Sequence, residues 1–223
     1  MGTQIQLKSA DGHNFGAYLA EPQGKARGAV IVVQEIFGVN AHIRSVADSY
    51  AAAGYLAIAP AYYDRAQPGF EAGYGPKDME AGVALMQKVK WDDVMADSAA
   101  ALSRVKSAGK VGILGFCWGG TASWLAAAKL QGLACAAPYY PGGIFGLIDE
   151  QPRVPVMCNF GELDKSPTPE QARAVLAKHP EVIGHFYAGA GHGFNCDERG
   201  SYNAEAAKLA KSRTLEFLGK HVG

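Results

Sequence analysis

The chain carries no excess of either charge: 21 Lys and Arg balance 21 Asp and Glu over 223 residues. It therefore has no field to draw nucleic acid or an anionic membrane surface. Long hydrophobic runs are missing too. No apolar stretch approaches the roughly 20 residues of a membrane-spanning helix, and residues 1–12 hold no apolar signal core. Met1-Gly2 opens like a myristoylation signal, but Gln6 stands where Ser or Thr is required. Cysteine is scarce: Cys117, Cys135, Cys158 and Cys196 are scattered, with no C-x-x-C pair. That spacing argues against zinc and against a disulfide framework, and it fits a reduced, cytoplasmic protein. No Ser- or Pro-rich linker and no internal repeat divides the chain, so residues 1–223 are expected to form a single domain with a sizeable core. The oligomeric state is left open; a monomer is compatible with this composition.

What is present is an alternation of strand and helix signals. Residues 3–8 and 14–20 alternate weakly around Asp11-Gly12, which predicts an antiparallel opening hairpin. Residues 29–36 form an apolar run broken only by Gln34 and Glu35, as in a strand covered on both faces. A helix follows, with Asn40 as cap, Ile43, Val46, Ala47 and Tyr50 on one face, and Gly54 at its end. Further strands are expected at 55–59, 111–114, 133–140, 154–160 and 182–187, with 60–76 as loop. Helices are expected at 78–90, from a cap at Asp92 onward, from Thr168-Pro169-Glu170-Gln171 with its capping box, and at 203–218. Such alternation predicts an α/β fold: a mostly parallel, doubly wound sheet with an antiparallel N-terminal hairpin.

Between the strand at 111–114 and a small-residue helical run at 121–128 stands Gly115-Phe116-Cys117-Trp118-Gly119. This is the G-x-S-x-G nucleophile elbow with sulfur in place of oxygen. The flanking glycines suit a sharp strand-to-helix turn, where a Cβ would meet the crowded backbone. The turn lifts the Cys117 sulfur out of the sheet, and the N-terminus of the following helix favours a thiolate. A lone cysteine is more often a small core hydrophobe, so the motif needs a base, an orienting acid and an oxyanion hole elsewhere in the chain.

In doubly wound sheets the ligand crevice lies at the carboxyl ends of the strands. His192, in Gly189-Ala190-Gly191-His192-Gly193-Phe194, follows the last strand and is the candidate base. Asp164, in Gly161-Glu162-Leu163-Asp164, is the candidate acid, with Glu162 a competitor for the same task. Nucleophile, acid and histidine then occur in the chain order of α/β-hydrolases. Glu35 closes an apolar run, a costly place for an unpaired carboxylate. It is read as a strand-end carboxylate in water, as paired with Arg44, or as standing beside Cys117 and helping to deprotonate the thiol. The backbone N–H groups of Trp118 and Ile36 are the expected oxyanion donors. Phe37, Tyr62, Tyr63, Trp91, Tyr139, Tyr140 and Phe194 are candidate pocket aromatics, although aromatic residues more often belong to the core.

With these residues placed, the sequence resembles the dienelactone hydrolase (carboxymethylenebutenolidase) family of α/β-hydrolases. The resemblance is carried by Gln34-Glu35-Ile36-Phe37-Gly38, Gly115-Phe116-Cys117-Trp118-Gly119-Gly120, Gly161-Glu162-Leu163-Asp164 and Gly191-His192-Gly193-Phe194, in that order. It implies a Cys117–His192–Asp164 triad, Glu35 holding the resting thiol, hydrolysis of a small ester or lactone through a thioester, and no metal or organic cofactor. The resemblance also implies arginines for a substrate carboxylate, one of them four residues past the histidine. Cys196 occupies that position, Arg199 lies three further on, and Lys77 is the only base at 76–84. Two other readings stand beside it: a general carboxylesterase with a different substrate, and a ligand-binding protein whose scaffold no longer catalyses.

Overall fold

The computed structural model describes residues 1–223. The chain opens with β1 (Thr3–Lys8) and β2 (Asn14–Ala20), an antiparallel pair with Leu7 opposite Phe15. Six more strands follow: β3 (Ala29–Val33), β4 (Leu56–Pro60), β5 (Val111–Phe116), β6 (Leu133–Tyr139), β7 (Met157–Gly161) and β8 (Ile183–Tyr187). They join in one sheet of order β1-β2-β4-β3-β5-β6-β7-β8. β2 runs antiparallel to β4, and every pairing from β4 to β8 is parallel. This is the mostly parallel sheet with an antiparallel hairpin that the sequence predicts.

β3 shows why the centre reads as an unbroken apolar run. Ala29, Ile31 and Val33 pack into one core with Val94, Ala101 and Trp124. Val30 and Val32 point the other way, into a second core with Ile43, Tyr50 and Phe217. Successive side chains of a strand face opposite sides, so a sheet sandwiched between two helix layers needs apolar residues at every position.

Those layers come from six α-helices: α1 (Ala41–Ala52), α2 (Pro76–Met86), α3 (Trp91–Val105), α4 (Trp118–Lys129), α5 (Pro169–Lys178) and α6 (Ala204–His221). Asn40 caps α1 by accepting the Ile43 N–H at 3.2 Å. Thr168 and Gln171 close the capping box of α5, at 3.0 and 3.3 Å. No helix is long and apolar enough to cross a membrane.

Several boundaries differ from the sequence reading. β3 ends at Val33, opposite Gly115, because the helix beginning at Trp118 packs over the strand end and leaves residues 34–36 without a ladder partner. Glu35 therefore lies in a loop beyond the strand rather than at its last position. β7 starts at Met157; Pro155 has no N–H for a ladder, and Val156 makes only an isolated bridge to Ala136. α2 begins at Pro76 and stops at Met86, and α3 is capped at Lys90 rather than Asp92. Asp92 and Asp93 instead occupy the first turn of α3, where the positive end of the helix dipole favours them. The loop at 60–76 contains a 3-10 turn, Tyr62–Arg65.

Candidate active site

The elbow after β5 has the geometry its glycines foretell. Cys117 sits at φ 56° and ψ −116°, a left-handed conformation that costs a non-glycine residue about 1–3 kcal/mol. Its own N–H donates to the Tyr139 carbonyl at 3.0 Å, and its carbonyl accepts from Thr121 N at 3.1 Å. These ties to β6 and to the first turn of α4 hold the strained residue in place. A Cβ on Gly115 would come within 2.1 Å of the Gly119 carbonyl oxygen, and one on Gly119 within 2.3 Å of that of Gln34. Strand, helix and the 34–36 loop can meet only because neither residue has a side chain. Of the four cysteines, Cys117 alone is partly exposed.

His192 and Asp164 reach the same place from neighbouring loops. The Leu163 N–H donates to the Ala190 carbonyl at 2.8 Å, which clips the loop after β7 to the loop after β8. Nδ1 of His192 then faces both Asp164 oxygens, at 3.2 and 3.1 Å. That leaves Nε2 as the ring nitrogen available to the thiol. Burial of the ring works against its charge, but the hydrogen bond to Asp164 and the neighbouring Cys117 sulfur outweigh it, and the His192 pKa is raised to about 10. Asp164 is only 4% exposed. Ser166 N donates to its Oδ1 at 2.8 Å. Glu162, the competing acid, is exposed, and the hydrogen bonds of the ring nitrogen go to Asp164.

Glu35 is placed differently from the sequence expectation. It is buried, and its Oε1 accepts a hydrogen bond from Nη1 of Arg199 at 2.9 Å, while Oε2 has no partner. Arg44 turns away to Glu71, at 2.6 Å. The carboxylate thus answers to a guanidinium rather than to the Cys117 thiol. A buried charge demands a counter-charge, and Arg199 supplies it while its guanidinium lies over the Phe37 and Tyr74 rings, at 5.7 and 5.9 Å. Arg199 is the residue whose position sequence reasoning missed. The signal was present, since a carboxylate closing an apolar run needs a cation, but the sequence reading offered Arg44 as that cation.

Cys117 and His192 open onto a cavity of about 540 Å³, within the usual range of small-molecule sites. Ile36 and Trp118 line it as well. The N–H groups of these two residues take part in none of the turn, loop or cap hydrogen bonds, so both are free to donate. The apolar wall comes from Val83 and Met86 of α2, from Val89 and from Trp91, which stacks on Trp118 with ring centroids 5.6 Å apart. Val83 and Met86 are one turn apart on α2, and Val89 follows in the bend beyond it.

Of the seven candidate pocket aromatics, only Trp91 lines the cavity. Phe37, Tyr62, Tyr63, Tyr139, Tyr140 and Phe194 are each at most 1% exposed and belong to the two cores. Rings of that size are worth most when fully buried, and these form the backing of the site. Tyr63 packs on Trp118 at 5.3 Å, and Tyr140 meets His192 edge-on at 5.2 Å.

One group has metal-ligating chemistry: His42, Cys196 and Asp197, whose ligand atoms lie within 4.8 Å of one another. A hydrogen bond from His42 Nδ1 to Asp197 at 3.2 Å accounts for the approach. Burial pushes the Cys196 thiol up to about 11.

Comparison with known proteins shows the family. The model of the dienelactone hydrolase family matches residues 15–222. A Synechocystis protein provisionally named carboxymethylenebutenolidase is 39% identical, over 92% of this chain and 91% of its own. The carboxymethylenebutenolidase of Pseudomonas putida is 33% identical over 96% of this chain and 94% of its own. A crystal structure from Klebsiella pneumoniae, provisionally named dienelactone hydrolase, superposes with a TM-score of 0.81 at 33% identity, covering 98% of this chain and all of that one. The chain belongs to the dienelactone hydrolase family and is a hydrolase of carboxylic ester bonds built on the α/β-hydrolase fold.

Proposed function

We propose that the protein hydrolyses small esters or lactones by covalent catalysis, with Cys117 as nucleophile, His192 as acid and base, and Asp164 as the orienting acid. The observation that carries this reading is the meeting of Cys117 and His192 at one cavity wall, with both Asp164 oxygens behind the ring on His192 Nδ1 at 3.2 and 3.1 Å. Charge on the imidazolium is favoured, which suits its delivering a proton to the leaving group.

In the first half-reaction the Cys117 sulfur attacks the substrate carbonyl carbon. The negative charge that develops on oxygen is met by the Trp118 and Ile36 N–H groups. The imidazolium of His192 passes its proton to the leaving alkoxide, the ester C–O bond breaks, and a thioester remains. In a lactone the alcohol stays tethered to the acyl group. In the second half-reaction neutral His192 takes a proton from water, and the hydroxide adds to the thioester carbonyl. Collapse of that adduct releases the carboxylic acid and restores the Cys117 thiolate and the imidazolium.

Glu35 enters this scheme as a positioning residue. Its ion pair with Arg199 anchors the loop that presents the next N–H, that of Ile36, to the cavity. The unbroken sheet across the chain supports one domain, and the four free cysteines support a reducing compartment.

The test is turnover of an activated aryl ester by wild type and by Cys117→Ala, with mass spectrometry of the acyl-enzyme. The proposal expects an adduct on Cys117 and loss of turnover by at least about a thousandfold in the variant. Wild-type rates in Cys117→Ala overturn it.

A further inference from the structure

We infer that His42, Cys196 and Asp197 form a binding site for a divalent cation of the zinc class, and that the bound ion ties the turn after His192 to the start of α1. This site lies outside the hydrolytic scheme and stands or falls independently of it. Its basis is three different ligand chemistries brought together from distant segments, with two of the three side chains buried.

An imidazole nitrogen of His42, the Cys196 sulfur and a carboxylate oxygen of Asp197 lie within 4.8 Å of one another. Bonds of about 2.0–2.3 Å to zinc put ligand atoms roughly 3.3–3.6 Å apart in a tetrahedral site, so closure asks for shifts of about an ångström. His42 Nδ1 and Asp197 are already at 3.2 Å. Asp197, with its side chain 70% exposed, is free to rotate. His42 and Cys196 are buried, and the His42 ring is set edge-on against Phe116 with centroids 6.5 Å apart. The hydrogen bond explains why Asp197 meets His42. It leaves Nε2 of the same ring buried without a partner, and it gives no reason for a thiol beside the pair. The sequence did not show the group because metal-site spacing is read from ligands close in the chain, and 155 residues separate His42 from Asp197.

Thiolate, imidazole and carboxylate together suit zinc, whereas magnesium and calcium take oxygen ligands. The thiolate and carboxylate set two negative charges against the dication, and the neutral imidazole adds none. The thiol proton leaves to solvent as the sulfur binds the ion. His42 and Asp197 line a cavity of about 350 Å³, separate from that of Cys117 and His192, which gives an ion a way in and room for a water as fourth ligand. Lys208 and Lys211 share this cavity. Lys208 is exposed and the Lys211 ammonium lies over the Tyr50 ring at 5.8 Å, and both charges ride on long stems that can turn to water. The Cys196 N–H donates to the Gly193 carbonyl at 3.0 Å, so an ion held by this sulfur is coupled to the turn next to His192.

The experiment titrates cobalt(II) chloride, a spectroscopic stand-in for zinc, into the protein kept reduced by a phosphine that does not compete for metal. Wild type is compared with Cys117→Ala, Cys196→Ser, His42→Gln and Asp197→Asn. A thiolate-to-cobalt charge-transfer band, with the intense visible bands of four-coordinate cobalt, should saturate at one ion per chain in wild type and in Cys117→Ala, and zinc chloride should erase it. Cys196→Ser should lose the charge-transfer band, and His42→Gln and Asp197→Asn should bind at least about tenfold more weakly. Asp197 is exposed, so its variant keeps the test open where a buried substitution fails to fold. Zinc at about a hundredfold its dissociation constant should raise the melting temperature of wild type by at least about 3 °C and leave that of Cys196→Ser unchanged. Absence of the thiolate band in wild type overturns the site. So does a band that survives Cys196→Ser and vanishes in Cys117→Ala, which places the metal on the Cys117–His192 pair. Unchanged affinity in folded Asp197→Asn overturns it as well.

Discussion

Asp164 places both carboxylate oxygens against Nδ1 of His192, at 3.2 and 3.1 Å, from a position where water barely reaches it. The pair links two loops 28 residues apart in sequence and sets which imidazole nitrogen faces the thiol. Removing the charge while keeping the shape isolates that function. Asp164→Asn should lower kcat by about 10⁴-fold, with a much smaller change in KM, as expected when the imidazole loses its correct tautomer. Glu162→Gln should stay within about twofold of wild type, since that side chain is solvated. Steady-state kinetics on one aryl ester checks both. A larger loss in the Glu162 variant would reverse the assignment of the acid.

The raised pKa of His192 makes a prediction about stability. Its folded pKa, about 10, lies above the ordinary histidine value of 6.5. The folded state therefore holds the imidazole proton more tightly than the unfolded chain does. That contribution is fully present below about pH 6.5 and is lost as pH rises towards 10. Relative to His192→Gln, the wild type should show its greatest advantage in denaturant midpoint near pH 6, shrinking steadily to pH 10. An advantage that grows over that interval would show the opposite shift.

Arg199→Met leaves Glu35 buried without its counter-charge. The expected cost is about 3–5 kcal/mol, much of it the desolvation of the stranded carboxylate. Arg199→Met with Glu35→Gln should recover a large part of that loss, because no charge then remains buried. Chemical denaturation of the two single variants and the double variant forms the cycle. Additive losses would mean that the two groups do not act as a pair.

Gly119→Ala probes the turn itself. The added methyl would sit 2.3 Å from the Gln34 carbonyl oxygen and 2.6 Å from that of Val33, both backbone atoms. Neither can move without shifting β3 or α4, so a loss of at least about 2 kcal/mol is expected. The proposed oxyanion donors, the Trp118 and Ile36 N–H groups, flank the same contact, and kcat should fall in any fraction that folds. Thermal melting alongside ester turnover separates the two effects. An unchanged melting temperature would mean that the loop yields freely.

Much of the fold was legible because its signals are local. The alternation around Asp11-Gly12, the Asn40 cap and the Thr168–Gln171 box each depend on a few consecutive residues, and each appears where the sequence puts it. Boundaries slipped where a neighbour decided them. Residues 34–36 extend the apolar run of β3, yet they leave the sheet because α4 covers the strand end. Asp92 is a good cap by composition, yet the helix starts at Trp91, whose ring stacks on Trp118 in the cavity wall.

The sequence by itself determined the glycine-flanked turn at Cys117, the chain order of Cys117, Asp164 and His192, and the family. Glycine spacing and chain order survive any change in packing, so they can be read without coordinates. Only the tertiary structure decided that Glu35 belongs to Arg199, 164 residues away, and that six of seven candidate aromatics are core rather than pocket wall. Charge pairing and burial depend on which distant segments share a dry interior, and no local window of sequence records that.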